Sequence, residues 1–393
     1  MAEPGERSLQ GPFGRPALRL GRVLGIEVGL DFTWVFIFLL ITLSLSRQLG
    51  AQHETWPAAA RWAGALAASL LFFASILLHE LGHSVTSNAL GVPVRSITLF
   101  LFGGLASLSK EPERPRDEFL IGAAGPAVSV LLGLVFLLLS LLLPAEPLLS
   151  EVTAGVLAWL GWINLVLAGF NLFPGFPLDG GHLLRAAVWA WTGSLERATR
   201  VAAGMGALFA TGLIGLGILI AIPGGNLLGG LWLVFIGWFV LSAARGSTTQ
   251  MVLERGLSLL RVREVVDSDP PTVSRAASVA DVIAGPVLKQ GQRWLLVRDH
   301  EGPVGLVTLH EIKSVPEELR ANTPIGQVMR PRSQLVTVRL DATLWQALKT
   351  LQEAGVNQLP VLDAEGRFAG MLSRERLLAV VRNQLELAGM SGR

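Results

Sequence analysis

Long apolar segments fill one part of this chain and are missing from the rest. Between residues 31 and 244 they follow one another closely, whereas residues 1–30 and 245–393 have the composition of water-exposed protein. About 20 apolar residues are enough to cross the hydrocarbon core of a bilayer. Only 16% of the 393 residues are charged, against about 25% in soluble domains. The sequence therefore predicts an integral membrane protein with a soluble C-terminal part.

Six of these segments predict six transmembrane helices, and a shorter helix is expected at 181–192. The six segments lie at about 31–46, 57–90, 117–143, 151–172, 197–222 and 227–244. Between the second and third, alternating β-forming residues around Gly103-Gly104 predict a β-hairpin or re-entrant segment at 94–108. Such backbone at membrane depth needs protein or a water-filled cavity around it. The first segment has none of the features of a cleavable signal peptide, so we expect it to remain.

The distribution of basic residues predicts the orientation in the cell membrane. Four arginines lie between residues 7 and 22, and the 91–118 loop carries four more basic residues. The loops at 47–61 and 144–150 carry two and none. Basic loops stay in the cytoplasm, so we expect the N-terminus and the C-terminal part there. The net charge of +2 gives no reason to expect nucleic acid as a partner.

The C-terminal part contains an internal repeat. Thr272-Val273 recurs as Thr337-Val338, and Gly305-Leu-Val-Thr recurs as Gly370-Met-Leu-Ser, both with an offset of 65 residues. Each copy has the pattern of strand, helix, two strands and helix. We therefore expect two α/β units that pack as one module, preceded by a helical linker at 245–262.

The run His79-Glu80-Leu81-Gly82-His83 carries the clearest chemical signal. Its two histidines, four residues apart, lie on one face of a helix and can bind one zinc ion. Glu80 stands beside a ligand and can take a proton from water at the metal. The chain has no cysteine, so any metal must be held by His, Asp or Glu. The alternative is a pair of buried histidines bonded to neighbouring groups, although ionisable residues inside apolar segments are usually functional.

A catalytic zinc normally has three protein ligands, and Asp179 is the main candidate for the third. It follows Asn171-Leu-Phe-Pro-Gly-Phe-Pro-Leu, where prolines end a helix and Gly180-Gly181 permit a tight turn. Asp179 could instead be the N-cap of the next helix. His182 is a competing ligand, but its place in the first turn of that helix makes it the weaker candidate.

These two motifs together resemble those of the site-2 proteases, zinc peptidases that cut substrates within the membrane. The resemblance covers about residues 18–244. It implies that His79, His83 and Asp179 bind one zinc ion, that Glu80 is the catalytic base, and that Asn171 helps to position the substrate backbone. Gly125-Pro126 also matches the family, although Ser129 stands where an asparagine is common, so the resemblance assigns Ser129 no role.

The repeated module resembles a pair of cystathionine-β-synthase-type (CBS) domains, which often bind adenine nucleotides. The resemblance implies Thr308, Glu311 and Ser373 as nucleotide-binding residues. Glu311 replaces the usual ribose-binding aspartate, and Arg376 stands in its place in the second copy. A purely structural or dimerising role, as a homodimer, is the alternative. The expected organisation is a cytoplasmic segment at 1–30, a membrane-embedded zinc protease domain at 31–244, the linker helix at 245–262, and CBS domains at 263–322 and 323–386.

The expected function is that of an intramembrane zinc metalloprotease acting on single-pass regulatory membrane proteins, with the CBS pair as a regulatory module. The alternative from another class is a CBS-gated divalent metal transporter or channel, with His79, His83 and Asp179 as its ion pathway. Transporters often contain internal repeats in their membrane part, and none is recognisable here. A third reading, a membrane scaffold without activity, is disfavoured by the intact Glu80.

Overall fold

The computed structural model describes residues 18–101, 103–108, 110–144, 146–222, 224–300 and 302–387. The chain divides into two compact units between Thr249 and Gln250. Residues 1–17, which belong to the predicted N-terminal segment, lie outside the described residues. The first unit is the apolar one and the second contains the repeat.

Seven helices build the described part of the first unit, and six of them have apolar stretches long enough to cross a membrane. The prediction of six spans is confirmed. The seven helices are α1 (Thr33–Gln52), α2 (Ala58–Ala89), α3 (Pro115–Leu142), α4 (Leu148–Asn171), α5 (Asp179–Thr192), α6 (Leu195–Ala221) and α7 (Leu227–Leu259). Helix α5 is the short one that was expected, and α7 continues beyond its apolar stretch through most of the predicted linker.

A four-stranded sheet packs against these helices. Its strands are β1 (Leu18–Val23), β2 (Ile26–Leu30), β3 (Val94–Phe100) and β4 (Gly103–Leu108), in the order β1-β2-β3-β4. Strands β3 and β4 form the predicted hairpin, while β2 pairs with β3 in parallel. No pattern in the sequence predicted β1 and β2. Strand β1 pairs with β2, and β2 in turn pairs with β3, which lies about seventy residues further along the chain.

Asp31 connects this sheet to α1. Its backbone N–H donates to the Leu99 carbonyl at 2.8 Å, and its side chain accepts from both the backbone and the hydroxyl of Thr33. Buried Ile26, Ile97 and Phe73 then form a core shared by the sheet, α1 and α2. The sheet is therefore fixed beside α2, the helix that carries the His-Glu-Leu-Gly-His run.

The second unit contains two similar α/β halves. The first half has a sheet of order β5-β6-β7-β8 and the second a sheet of order β11-β10-β9. Their strands are β5 (Thr272–Ser274), β6 (Trp294–Asp299), β7 (Gly302–Thr308), β8 (Arg330–Pro331), β9 (Val338–Arg339), β10 (Gln358–Leu362) and β11 (Phe368–Ser373). Their α-helices are α8 (Val279–Val282), α9 (Leu288–Gln290), α10 (Leu309–Lys313), α11 (Ile325–Val328), α12 (Leu344–Glu353) and α13 (Arg374–Leu387). The predicted α/β repeat is confirmed.

Candidate metal centre

Helix α2 places His79 and His83 one turn apart on the face that meets α3. His79 is 3% exposed, and its ring lies edge-on to the ring of His83 with 4.9 Å between centroids. Gly82 permits the close contact of the two helices, since a Cβ there would lie 2.9 Å from the side chain of Val128. The glycine of the motif thus serves helix packing, and the histidines face the resulting interface.

Helix α3 fixes the orientation of both imidazoles through their Nδ1 atoms. His79 Nδ1 lies 2.9 Å from the Ser129 hydroxyl, and His83 Nδ1 lies 2.7 Å from the Ile121 carbonyl. A carbonyl can only accept, so His83 Nδ1 carries the proton and the Nε2 of the neutral ring presents a lone pair. Anchoring Nδ1 by a second group is how metal-binding histidines are usually oriented.

Asp179 completes a cluster with the two histidines. Its Oδ2 lies 3.0 Å from His79 Nε2 and 3.3 Å from His83 Nε2, and the two Nε2 atoms are 3.2 Å apart. The N-cap of α5 is Leu178, which places Asp179 in the first helical turn, and no side-chain cap bond is present. The alternative role of Asp179 as the N-cap is therefore not the one that the side chain adopts.

The loop before Asp179 is anchored to another helix. Phe176 is 3% exposed, and its backbone N–H donates to the Ala202 carbonyl of α6 at 3.0 Å. Its side chain packs with Ala202 and Ala203. The loop is short and proline-rich, and this anchor directs its last residues, and with them Asp179, toward α2 and α3.

The three side chains fit a zinc ion. Ligands 2.0–2.1 Å from a tetrahedral ion lie about 3.3 Å from one another, close to the separations in this cluster. Gly125 of α3 leaves the space, because a Cβ there would overlap His83 Nε2 and lie 2.6 Å from His79 Nε2. Two imidazole nitrogens and one carboxylate oxygen are also the ligands found in catalytic zinc sites. Within the described residues, His79, His83 and Asp179 are the one such group of three.

Glu80 is next to this cluster and contacts the β3–β4 hairpin. Its side chain lies against the backbone of Gly104. A Cβ on Gly104 would overlap the Glu80 Cγ atom and lie 2.9 Å from its Oε1. The hairpin therefore borders the site, and a residue with a side chain at position 104 would displace Glu80.

Three other residues that the sequence singles out in the membrane unit lie near the cluster, and their surroundings differ. Asn171 is the last residue of α4 and begins the segment that leads to Asp179. His182 lies outside the cluster, with its Nδ1 3.1 Å from the Glu118 carboxylate. Ser129, which the family resemblance left without a role, contacts His79. Sequence reasoning missed Ile121, which acts through its backbone carbonyl. Gly104 and Gly125 belong to patterns that the sequence does show, but their contacts with Glu80 and with the two histidines were not predicted.

In the second unit, Thr308 and Glu311 form a capping box at the start of α10. Glu311 accepts from the Thr308 hydroxyl, from the Thr308 backbone N–H at 3.0 Å, and from Arg330 Nε at 2.7 Å. Burial alone would raise the pKa of Glu311, but these donors outweigh it and hold that pKa below its usual range. Ser373 accepts from the Arg376 backbone N–H at the start of α13. These polar groups of Thr308, Glu311 and Ser373 therefore already form hydrogen bonds within the protein.

A cleft of about 630 Å³ opens at the other end of the first sheet of this unit. Its lining includes Arg275, Arg298 and His300 together with Thr272 and Ser274. In the antiparallel pair β6–β7, Asp299 faces Gly302 at this end, while Trp294 faces Thr308 at the far end. The cleft and the capping box are therefore separate places.

Comparison with known proteins identifies the family. Residues 67–156 and 146–215 match the model of peptidase family M50, and residues 262–318 and 325–383 match the CBS domain. The Synechocystis protein sll0528 is 33% identical over 377 residues, which cover 94% of this chain and 97% of the relative. The chain belongs to peptidase family M50.

Two further sequence relatives agree with this assignment. Rip3 of Mycobacterium tuberculosis is 34% identical over 372 residues, covering 94% of both chains. The zinc metalloprotease MJ0392 of Methanocaldococcus jannaschii is 30% identical over 68% of this chain and 71% of its own length. A solved site-2 protease from Methanocaldococcus jannaschii matches 59% of this chain and 94% of its own, with 30% identity and a TM-score of 0.40.

The M50 assignment fixes the general activity. The protein is a zinc metalloprotease of the site-2 type, a multi-pass membrane protein that carries two CBS domains. The family match favours this activity over the metal transporter or channel that the sequence left open. It also agrees with the fit of the His79, His83 and Asp179 side chains to zinc.

Proposed function

We propose that this M50 protease cuts peptide bonds in or near the transmembrane segments of single-pass regulatory membrane proteins, as a step of regulated intramembrane proteolysis. The supporting observation is the position of the cluster. His79 and His83 lie on a helix that is long and apolar enough to span the membrane, and they meet Asp179 between that helix and α3. A peptide bond must therefore reach the interior of the helical unit to be hydrolysed.

In this proposal His79, His83 and Asp179 hold one zinc ion and Glu80 is the catalytic base. Zinc, when bound, supplies Lewis-acid polarisation of the scissile carbonyl and activates water. Glu80 takes a proton from the attacking water at its carboxylate and passes it to the leaving amine. The Gly104 backbone packs against that side chain. Ser129 and Ile121 keep both Nε2 atoms directed at the ion.

We propose that the substrate is bound in an extended conformation along β4. This strand is an edge of the four-stranded sheet, since β3 is its partner among the described strands. An edge strand can pair with an extended peptide through its backbone groups. Gly104, which contacts Glu80, belongs to this strand, so a paired peptide would pass close to the catalytic base. Asn171 would bind the substrate backbone from the side of α4.

The orientation in the membrane remains a prediction, with the N-terminus and CBS domains in the cytoplasm. It is supported by the basic N-terminal tail and the basic loop between α2 and α3. With this orientation α2 runs inward. The metal centre, in the C-terminal half of that helix, then lies nearer to the cytoplasm than to the outer surface.

For the CBS pair we propose a regulatory role with an adenine nucleotide as ligand, and pairing of two copies of the chain through this module remains a prediction. Two places are candidates for the nucleotide. The first is the group Thr308, Glu311 and Ser373, which the family resemblance implies. The second is the cleft beside Arg275 and Arg298, whose guanidinium groups suit a phosphate.

The test of the proteolytic mechanism is Glu80→Gln in the full chain, reconstituted in liposomes with a single-pass substrate. We expect zinc content to be retained and cleavage to fall by about 100-fold or more, because the proton acceptor is lost. The matched control is Glu113→Gln, whose side chain is 79% exposed, and it should cleave like the unmodified protein. Cleavage by Glu80→Gln at the unmodified rate would overturn the role of Glu80.

Calorimetric titration of the full chain with AMP and ATP tests the nucleotide proposal. Weaker binding in Glu311→Gln would assign the ligand to the capping box, and weaker binding in Arg298→Gln would assign it to the cleft. Arg339→Gln is the control, since Arg339 is exposed and pairs with Asp341. If neither nucleotide binds the unmodified protein, the nucleotide proposal fails. The molecular mass in detergent, measured in the same samples, tests dimerisation.

A further inference from the structure

A buried carboxylate close to the metal centre has no part in the proposed chemistry. Glu118, in the first turn of α3, is 2% exposed. Its Oε1 accepts a hydrogen bond from Arg185 Nε and lies 3.1 Å from His182 Nδ1. Its Oε2 is buried and has no hydrogen-bond partner within the described residues. Burying a carboxylate is costly unless partners compensate, so this position calls for a role.

Both partners of Glu118 belong to the helix that carries Asp179. His182 and Arg185 follow Asp179 by three and six residues on α5, so all three lie along one side of that helix. Helix α3 also approaches the start of α5 directly. A Cβ on Gly122, one turn after Glu118, would lie 3.5 Å from the Asp179 carbonyl and 3.2 Å from His182 Cβ. Glu118 thus fixes α5 against α3 at the end that carries Asp179.

Arg185 extends this contact to the loop before Asp179. Its guanidinium lies 5.2 Å from the centre of the Phe176 ring, the residue whose backbone is anchored to α6. Arg185 is 11% exposed, and its contact with Glu111, which is 60% exposed, is longer at 4.0 Å. Glu118 is therefore the principal anionic partner of Arg185, and Glu111 is a peripheral one.

We infer that Glu118 is a positioning residue for the metal centre, which holds the Asp179 carboxylate at the two imidazoles through Arg185, His182 and helix α5. The same helix α3 orients His79 through Ser129 and His83 through Ile121. All three members of the cluster thus take their position from α3. The inference rests on the proposed role of Asp179 as a zinc ligand.

The experiment measures zinc affinity by competition with a chromogenic chelator, using full-length protein in detergent. We expect Glu118→Gln to weaken zinc binding by about tenfold, the lower end of the range for residues that support metal ligands. Glu111→Gln contacts the same arginine from the exposed side and should change the affinity less than about twofold, as expected for an exposed ion pair.

A second background separates positioning from general destabilisation. In Asp179→Asn, where the third ligand is already impaired, Glu118→Gln should cause almost no further loss of affinity, because it acts through that ligand. Additive losses, or an unchanged affinity in Glu118→Gln alone, would overturn the inference. An unchanged affinity in Asp179→Asn alone would instead overturn the ligand role of Asp179, so the two failures are distinguishable.

Arg185→Gln provides a variant that removes the same contact from α5. It should also weaken zinc binding, and again only when Asp179 is intact. If Glu118→Gln proves too unstable to purify, Arg185→Gln in both backgrounds decides the inference by the same criterion. Thermal unfolding of the metal-free proteins is recorded in parallel, and a loss of zinc affinity that simply follows the loss of stability counts against the inference.

Discussion

Asp179 and Glu311 are two carboxylates that the sequence marks as functional, and their surroundings differ in kind. The Asp179 oxygen in the membrane unit lies against two imidazole nitrogens, both of which can present lone pairs. Glu311 in the CBS module accepts from a backbone N–H, a hydroxyl and a guanidinium. Three acceptors that converge form a site for a cation, whereas an acid surrounded by donors is already satisfied.

The difference shows what distinguishes a ligand site from a structural acid. At the metal centre, the Nδ1 atoms of His79 and His83 point away from the cluster, to Ser129 and Ile121. The Nε2 atoms of both rings therefore face inward, toward Asp179. At Glu311 the surrounding donors form hydrogen bonds with the carboxylate itself. We therefore expect changes around the metal centre to affect zinc binding and catalysis, and changes at Glu311 to affect stability.

The largest effect is expected from Gly125→Ala. The added methyl group would overlap His83 Nε2 and crowd His79 Nε2, and the rigid packing of α2 on α3 leaves little room to relax. We expect zinc affinity to fall by at least about 100-fold, because both ligand atoms are obstructed. The measurement is bound zinc by elemental analysis after dialysis at fixed free zinc.

Gly169→Ala is the matched control for that variant. Gly169 also lies in a membrane-spanning helix, but nothing is within 4 Å of a Cβ built there. Its zinc content should equal that of the unmodified protein. Normal zinc binding in Gly125→Ala would mean that the inward-facing acceptors are not a ligand set.

The next largest effect is expected from Gly104→Ala, and it should separate catalysis from metal binding. A methyl group there would displace Glu80 but not the histidines. We expect cleavage to fall by about 100-fold, the lower end of the range for loss of a positioned base, with zinc content unchanged. Leu105→Ala, a change at the next residue of β4, is the control. Loss of zinc in Gly104→Ala would show that the hairpin supports the metal centre rather than the base.

The ligand candidates, but not their surroundings, could be predicted from the sequence. His79 and His83 stand out because helical spacing puts them on one face inside an apolar segment, and Asp179 because it follows a loop restricted by prolines. Gly125, Ser129 and Glu118 act through contacts between helices that are far apart in sequence, and neither composition nor periodicity reports such contacts. Strand β2 escaped prediction for the same reason, since its pairing with β3 is a long-range contact.

A smaller effect is expected from Ser129→Ala. It removes the hydroxyl that lies 2.9 Å from His79 Nδ1, so the ring is no longer held with Nε2 toward the ion. We expect zinc affinity to fall by about tenfold, as is typical for a partner that orients a metal-binding histidine. Ser140→Ala is the control on the same helix, because the Ser140 hydroxyl donates to the nearby Leu137 carbonyl of its own helix. Equal affinities for the two variants would contradict the orienting role.

The smallest effect is expected from Glu311→Gln, and it concerns stability. Bonds to the charged carboxylate are lost, so we expect the module to be destabilised locally by about 1 kcal/mol at neutral pH. Because the pKa of Glu311 in the folded protein lies below the ordinary value of 4.5, its contribution is present above that pH and is lost as the pH falls through the lowered pKa. Hydrogen exchange of β7 and α10, followed as a function of pH, measures both the loss of stability and its pH dependence.

The exchange of Glu311→Gln should therefore differ from that of the unmodified protein at neutral pH and converge with it in acid. Glu353→Gln is the control, because Glu353 is an exposed acid that lies 4.0 Å from Lys349. If Glu311→Gln instead leaves exchange unchanged and abolishes nucleotide binding, Glu311 is a ligand-binding acid like Asp179. Donors around an acid would then be no guide to its role, and the contrast between the two units would no longer hold.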